Sequence, residues 1–169
     1  MTHNRSAIIT TSKGDITIEL YEDKMPITTA NFIKLASQGF YDATRFHRVI
    51  GPQRAPPHGF MIQGGDPLSK NGEKQRQWGT GGPGYSIKDE FHRDLHNTIG
   101  TIAMANSGPN SGGSQFFINI ASNTFLDSKH PVFGKVIAGM DTVNAIAKVR
   151  TDTSDKPIED VMFVRVSIK

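Results

Sequence analysis

Cysteine is absent from this sequence of 169 residues, and its absence excludes several kinds of chemistry. Without a thiol, the chain forms no disulfide, has no cysteine nucleophile and holds neither cysteine-ligated zinc nor an iron–sulfur cluster. Tryptophan is almost absent as well, since Trp78 is the only one. A chain of this length can bury a hydrophobic core without cross-links, so the sequence predicts a single domain over residues 1–169.

Concentrated charge and long apolar runs are also missing. The formal net charge is +3, and the densest basic group, Lys70, Lys74 and Arg76, is interrupted by Glu73. Because nucleic-acid-binding proteins usually gather basic residues on one face, we expect no nucleic-acid partner and keep an RNA-associated role as the weakest alternative. No segment has the length and apolarity of a membrane span or a signal peptide, so we expect a cytoplasmic protein without a membrane partner. We also expect a monomer.

The hydrophobic pattern predicts a mainly β protein with two helices. Strands are expected over residues 6–11, 15–21, 46–50, 60–63, 99–105, 115–120, 132–137 and 161–168. One helix is expected to begin at Pro26, with Ala30, Ile33 and Leu35 on its buried side, and a second to cover residues 140–149. Many short strands with two helices favour a closed barrel whose ends the helices cover.

Three motifs match known binding sites in spelling only. Residues 79–84 fit the dinucleotide pattern G-x-G-x-x-G, but a polar loop precedes them and a strand-like segment follows, so we interpret them as a glycine-rich turn. Residues 108–114 imitate a phosphate-binding loop but lack its lysine. His92 and His96 have the spacing of helical metal ligands, but no glutamate or third ligand accompanies them. We therefore expect no metal site.

Four segments are informative when they are taken together. They are residues 46–50 (FHRVI), 59–66 (GFMIQGGD), 104–118 (MANSGPNSGGSQFFI) and 125–134 (FLDSKHPVFG). In sequence and in order they resemble the cyclophilin family of peptidyl-prolyl cis–trans isomerases, and the resemblance extends over residues 7–168. It implies a closed, eight-stranded antiparallel β-barrel capped by two α-helices, with a peptide groove on the outer surface. It also implies an enzyme that rotates Xaa-Pro peptide bonds and assists protein folding.

The residues of these segments suit a reaction that breaks no covalent bond. Rotation about a peptide bond has a barrier of ~18–20 kcal/mol, and Xaa-Pro isomers exchange in ~10–100 s without a catalyst. A site that favours the twisted amide needs a fixed donor directed at the nitrogen lone pair. Arg48 is the candidate, because its guanidinium is always charged and rich in donors. By resemblance it matches the catalytic arginine of the family. No cofactor is required.

The other candidate residues are those that would hold the peptide. An apolar slot for the prolyl ring is expected from Phe60, Met61, Phe117 and Leu126. By resemblance, the remaining binding positions are Gln63, Gln115, the main chain of Ala105 and Asn106, Phe125 and His130. Singly, each could be an ordinary core or surface residue. Their joint occurrence in family order favours a site for proline-containing peptides and for unfolded or flexible protein segments. A non-catalytic peptide-binding module with the same groove is the alternative.

Two departures from the family pattern bear on function. Phe125 stands where many members carry tryptophan, so the indole N–H donor is missing and we expect cyclosporin to bind with reduced affinity. The connections at 51–58 and 68–78 are longer than in compact members. We interpret both as surface loops, and the basic loop at 68–78 either contacts a peptide or partner or is a neutral extension. Trp78 lies in that loop.

Overall fold

The computed structural model describes residues 3–169, in which eight strands form one antiparallel sheet. The strands are β1 (Ser6–Thr11), β2 (Gly14–Leu20), β3 (Arg48–Ile50), β4 (Met61–Gly64), β5 (Thr101–Met104), β6 (Phe116–Asn119), β7 (Val132–Ala138) and β8 (Phe163–Ile168). Their order across the sheet is β3-β4-β6-β5-β7-β2-β1-β8. The expected mainly β architecture is confirmed, and β1 and β2 form the expected hairpin.

The segments that lead into the two edge strands of the sheet, β3 and β8, meet along a short seam formed by residues 44–46 and 161–163. Arg45 and Met162 make an isolated antiparallel bridge there. Two backbone hydrogen bonds of 2.8 and 3.0 Å flank that bridge. The sheet is therefore curled into the expected barrel, and it is this seam that brings its edges together.

Aromatic side chains fill one part of the barrel interior. The ring of Phe32 lies 5.4 Å from that of Tyr41, 5.6 Å from that of Phe116 and 5.5 Å from that of Phe133, in tilted or edge-on geometry. All four residues are at most 1% exposed. Aromatic pairs at such distances and angles stabilise a core beyond the area that they bury. Because Phe32 belongs to a helix, this cluster fastens that helix to the sheet.

Helix α1 (Pro26–Ser37) begins at the expected proline, but its buried face differs from the expected one. Ala30 is exposed and Ile33 is only half-buried, whereas Phe32 and Leu35 are buried. The largest apolar side chain therefore sets the rotation of the helix. Once Phe32 enters the aromatic cluster, helical geometry turns position 30 towards solvent.

Helix α2 (Met140–Ala147) ends earlier than expected, and several strands are shorter than their sequence patterns. Its buried side chains Val143 and Ile146 belong to the core, and the helix packs against β2, β3 and β4. At the start of β5, Gly100 has a φ of 84°, a left-handed conformation that interrupts regular strand geometry. Between residues 3 and 169, no helix has the length and apolarity needed to cross a membrane.

The loop after Asp66 is more ordered than the expected irregular surface loop. It contains two 3₁₀ turns, Pro67–Lys70 and Gly72–Gln77. Asp66 is fully buried, and its carboxylate accepts the N–H of Leu68 at 2.8 Å and that of Gly79 at 2.5 Å. One carboxylate thus closes both ends of the loop, because it satisfies two backbone donors that a turn would otherwise leave unpaired.

Trp78 is a packed structural residue of this loop. The side chain is 9% exposed, and its indole N–H donates to the Asn71 carbonyl at 3.1 Å. The Arg45 guanidinium lies 5.3 Å from the ring and the Lys156 ammonium 5.7 Å from it, which is within cation–π range. The lone tryptophan therefore sits beside the seam that closes the barrel.

Truncation of the aromatic cluster tests its contribution. We expect Phe32→Ala to lower the free energy of unfolding by about 3–5 kcal/mol, because it leaves a cavity among three rings. The matched control is Phe91→Ala, since Phe91 is 52% exposed; it should change stability by about 0.5 kcal/mol or less. Urea unfolding followed by circular dichroism measures both. Equal losses for the two variants would contradict the packing described here.

Candidate active site

The barrel wall built from β3, β4, β6 and β5 presents different residues on its two faces. Paired residues of an antiparallel sheet share a face, and the next pair along the strands points to the opposite face. The inner row, every member of which is 0% exposed, consists of Val49, Ile62, Ile118 and Ile102. The neighbouring row, which points outwards, consists of Arg48, Gln63, Phe117 and Ala103. Arg48, the candidate catalytic residue, therefore shares its row with Ala103 and with two candidate binding residues, Gln63 and Phe117.

A second hydrophobic cluster lies on this outer face, separate from the barrel core. Its buried members, at most 4% exposed, are Met61, Ala103, Phe117 and Val132. Phe60 and Leu126 are partly buried against it. We call these six residues the outer slot. The four residues expected to receive a prolyl ring all belong to it, and none of them contributes to the barrel interior.

Two glutamines connect the outer row to the glycine-rich turn. The side-chain amide of Gln63 donates to the side-chain oxygen of Gln115 at 3.0 Å, and the Gln115 amide donates to the Gly81 carbonyl at 2.8 Å. Gln63 also pairs with Arg48 across β3 and β4. The side chain of Gln63, the neighbour of Arg48, is thus held by a chain of hydrogen bonds that ends at Gly81 in the turn.

The structure limits what the main chain at Ala105 and Asn106 can offer a ligand. The Ala105 N–H already donates to the Gln115 carbonyl at 3.1 Å. The Asn106 side chain is engaged too, because its amide donates to the Lys129 carbonyl at 2.7 Å and its oxygen accepts the Gly108 N–H at 3.3 Å. The backbone of Asn106 and the carbonyl of Ala105 are therefore the groups to consider for peptide binding at these positions.

Phe125 and His130 stand at the side of the outer slot. Phe125 is 68% exposed, and its ring stacks on that of Phe60 at 6.0 Å with an interplanar angle of 13°. The His130 ring meets that of Phe117 edge-on at 5.4 Å, and its Nδ1 lies 2.9 Å from the Met104 carbonyl. Because a carbonyl only accepts, Nδ1 carries the proton and Nε2 is free to accept when the ring is neutral.

A cavity of about 740 Å³ adjoins the outer row, and the sequence analysis did not identify it. Gln63 and Gln115 form its near wall, and the segments 79–86 and 105–107 contribute much of the rest. The sequence signal that could have found it is the run of glycines in residues 79–84, which the structure uses as a turn and not as a dinucleotide site. Among the residues described, the cavity lining includes neither Trp78 nor the loop before it.

His47, next to Arg48, is a buried histidine that the sequence analysis did not single out. It is 4% exposed, and burial lowers the pKa of its imidazole to about 4. The Asp66 carboxylate and the Arg45 backbone act in the opposite direction, but they do not outweigh the burial. His47 is therefore neutral at neutral pH, and the charge beside the outer slot on β3 is that of Arg48.

A comparison with known protein families identifies the family of this chain. The model described as "Cyclophilin type peptidyl-prolyl cis-trans isomerase/CLD" matches residues 6–168. The chain belongs to the cyclophilin family. This confirms the resemblance, and the eight-stranded sheet with its two covering helices agrees with it.

Three relatives illustrate the similarity of this cyclophilin to known proteins. Peptidyl-prolyl cis-trans isomerase ppi1 of Schizosaccharomyces pombe is 44% identical over 92% of this chain and 93% of its own length. Peptidyl-prolyl cis-trans isomerase CYP71 of Arabidopsis thaliana is 44% identical over 96% of this chain. A cyclophilin type peptidyl-prolyl cis-trans isomerase of Cryptosporidium parvum superimposes with a TM-score of 0.87 at 33% identity, covering 99% of this chain and 98% of its own. A second structure of that protein was determined in the presence of the dipeptide Ala-Pro.

The relatives differ widely in length. This chain spans only 24% of CYP71 and 24% of cyp15 from Rhizopus delemar, although it covers most of ppi1. The cyclophilin domain is therefore shared by short proteins and by much longer ones. Family membership therefore describes the domain that these proteins share.

The two histidines with metal-ligand spacing have other neighbours. His96 Nδ1 lies 2.7 Å from an oxygen of Asp127, and His92 Nδ1 lies 3.7 Å from an oxygen of Asp94. Residues 92–96 form no regular helix, so the i, i+4 spacing does not bring the two rings onto one face. Among residues 3–169, no group of three or more histidine, aspartate or glutamate side chains is placed to hold a metal ion.

Burial of His47 predicts a defined loss of stability in mild acid. The folded pKa, about 4, is lower than the ordinary value of 6.5, so the unfolded chain takes up a proton first. The contribution of the neutral, buried His47 to the free energy of unfolding is thus complete above pH 6.5 and is lost as the pH falls towards 4. It amounts to roughly 3 kcal/mol. Two carboxylates also contribute stability that is lost as the pH falls: the pKa of Glu22 is lowered from 4.5 by its hydrogen bond with Arg5, which overlaps the acid end of this window, and that of Asp127 is lowered from 3.8, which lies below it.

Urea unfolding at a series of pH values measures this effect. His47→Gln should flatten the decline between pH 6.5 and 4, because glutamine does not titrate. The control is His58→Gln, at an exposed position, which should leave the decline unchanged. A wild-type protein whose stability is constant across this window would contradict the account.

Proposed function

We propose that this chain is an active peptidyl-prolyl cis–trans isomerase that rotates Xaa-Pro bonds in peptides and in flexible or unfolded protein segments. One observation carries the proposal. On the outer wall of the barrel, the exposed Arg48 lies in the same cross-strand row as Phe117 and Ala103 of the apolar slot. The slot suits a prolyl ring. The arginine suits the amide nitrogen next to that ring. Family membership and the Ala-Pro structure of the Cryptosporidium relative support this reading.

The proposed mechanism requires no covalent intermediate. In the planar amide the nitrogen lone pair is delocalised, and it becomes an acceptor only when the bond is twisted. A guanidinium N–H of Arg48 directed at that nitrogen therefore stabilises the transition state more than either planar isomer, which is the condition for catalysis. Gln63, Gln115 and the backbone at Asn106 hold the chain before the proline, while the outer slot holds the ring. Only one side of the amide then turns.

The role of Arg48 can be tested by truncation. We expect Arg48→Ala to lower kcat/KM about 100-fold or more, in the range found when one transition-state donor is removed. NMR exchange spectroscopy on an Ala-Pro peptide measures the rate, and titration of the same peptide measures its Kd. The matched control is Arg93→Ala, because the Arg93 side chain is 92% exposed, and it should retain full activity.

Peptide binding by the wild type without acceleration would refute the isomerase and leave the non-catalytic module. Acceleration that survives Arg48→Ala would refute the assigned role of the arginine alone.

A second prediction concerns cyclosporin, which we propose binds with reduced affinity. Phe125 is exposed and stacks on Phe60, but it offers no donor where many family members carry an indole N–H. We expect Phe125→Trp to increase cyclosporin affinity about tenfold, as one added hydrogen bond of about 1.4 kcal/mol would. Isothermal titration measures the change, and Phe91→Trp is the control for an exposed indole elsewhere. Unchanged affinity in Phe125→Trp would refute the prediction.

The wider setting of the protein is proposed on sequence grounds. We infer a single domain over residues 1–169, supported by a sheet in which β1 pairs with β8 from the two ends of the chain. A monomer in the cytoplasm that assists protein folding is the setting that the sequence favours. Nucleic acid is not an expected partner, because Glu73 interrupts the basic residues of the loop at 68–78 and the Lys70 ammonium lies 5.9 Å from the Phe40 ring.

A further inference from the structure

Three buried asparagines lie beside the outer slot, and the mechanism above does not use them. Asn97 and Asn119 are 0% exposed, and Asn123 is 4% exposed. The Asn119 amide donates to the Asn97 side-chain oxygen at 3.0 Å and to the Thr101 hydroxyl at 3.0 Å. The Asn123 amide donates to the Asn119 side-chain oxygen at 2.9 Å. We call Asn97, Asn119 and Asn123 the asparagine network.

The network belongs to the same face of the wall as the candidate site. Asn119 pairs with Met61 across β6 and β4, and Met61 is part of the outer slot. On the outer face, the row that holds Asn119 therefore follows directly after the row of Arg48, Gln63 and Phe117. Asn119 is therefore buried beside the slot and not in the barrel core.

Two ends of the network hold backbone groups of Phe60 in the slot and of His130 beside it. The Asn123 amide donates to the carbonyl of Phe60 at 2.9 Å. The Asn97 amide donates to the carbonyl of His130 at 3.2 Å. Both carbonyls belong to residues of the proposed binding site, and these two residues come from segments that are far apart in the sequence.

The network also holds the short turn that carries Leu126 of the slot and Phe125 beside it. The Thr124–Leu126 turn is preceded by Asn123, whose N–H donates to the Asn97 carbonyl at 2.7 Å. It is followed by Asp127, whose Oδ1 accepts both the backbone N–H of Asn97 at 2.7 Å and its side-chain amide at 3.1 Å. The turn with Phe125 and Leu126 is thus fastened to Asn97 at both ends.

Such an arrangement fixes geometry more than it adds stability. Buried amides must find partners, and an apolar group of equal size would fill the same volume without that requirement. A fully satisfied polar network accepts only one arrangement of its members. Here that arrangement joins three separate pieces of the candidate site, namely Phe60, the Thr124–Leu126 turn and His130.

We propose that Asn97, Asn119 and Asn123 are positioning residues of the prolyl-binding slot. They hold the walls of the slot at one separation and so set its affinity for the prolyl ring. The inference rests on the proposed isomerase function and adds a group of residues to it. Arg48 stands on β3 with no contact to the network among the bonds described, so the arginine's action on a bound amide is unaffected.

The test separates KM from kcat. Asn119→Leu and Asn123→Leu should each raise KM for an Ala-Pro peptide about tenfold, equal to about 1.4 kcal/mol of binding free energy, with kcat nearly unchanged. Because the residues act as one unit, the double variant should be little worse than either single one. Ile9→Val, a buried change in β1 away from the slot, controls for lost stability and should leave KM unaltered.

Several outcomes would overturn the proposal. They are an unchanged KM in folded variants, additive effects in the double variant, or an equal rise in KM for Ile9→Val. If the leucine variants do not fold, Asn123→Ser decides, because serine keeps a polar group but cannot reach both the Phe60 carbonyl and Asn119; it should raise KM, and an unchanged value refutes the network. If wild type binds the peptide without accelerating exchange, the isomerase is refuted, while Kd measured by NMR titration still tests the network.

Discussion

The two-residue period of the β-strand is the constraint on which the rest of the structure depends. It separates Ile62 and Ile118, which close the barrel core, from Met61 and Phe117, which lie one residue away on the opposite face. A wall that is apolar on both faces can serve as core and as binding surface together. A register shift of one residue would exchange the two faces, so the fold and the site cannot vary independently.

The outer face of the wall lies outside the barrel core, so a second set of contacts must fix its side chains. The core is held by close packing of rings and branched side chains, which tolerates little volume change but allows many sequences. On the outer face, hydrogen-bonded side chains perform this role: Gln63 and Gln115 on one side, and the buried asparagines on the other. A reaction that only rotates a bond depends on such fixed geometry, since no covalent step compensates for a misplaced substrate.

Sequence patterns predicted the parts of the molecule that local periodicity controls. The hairpin, the proline at the start of α1 and most strands follow from alternation and from turn residues. Ala30 was wrongly assigned to the buried face, because the aromatic partners of Phe32 come from distant strands and only tertiary packing reveals them. The candidate residues of the site were proposed from family resemblance, not from periodicity. Asn97 and Asn119 were missed because they lie 22 positions apart, so no local pattern shows that they meet.

The two long loops are better understood through the seam than through the groove. Arg54 pairs with Asp155 at 2.7 Å in one loop, and in the other the Lys156 ammonium donates to the Gln75 carbonyl. Both loops therefore pack on the same segment that leads into β8. Arg45, at the bridge of the seam, also lies against Trp78. Since β3 starts three residues after Arg45, the loops pack beside the segment that leads into the strand of Arg48, and their contacts are with the seam and not with the lining of the cavity.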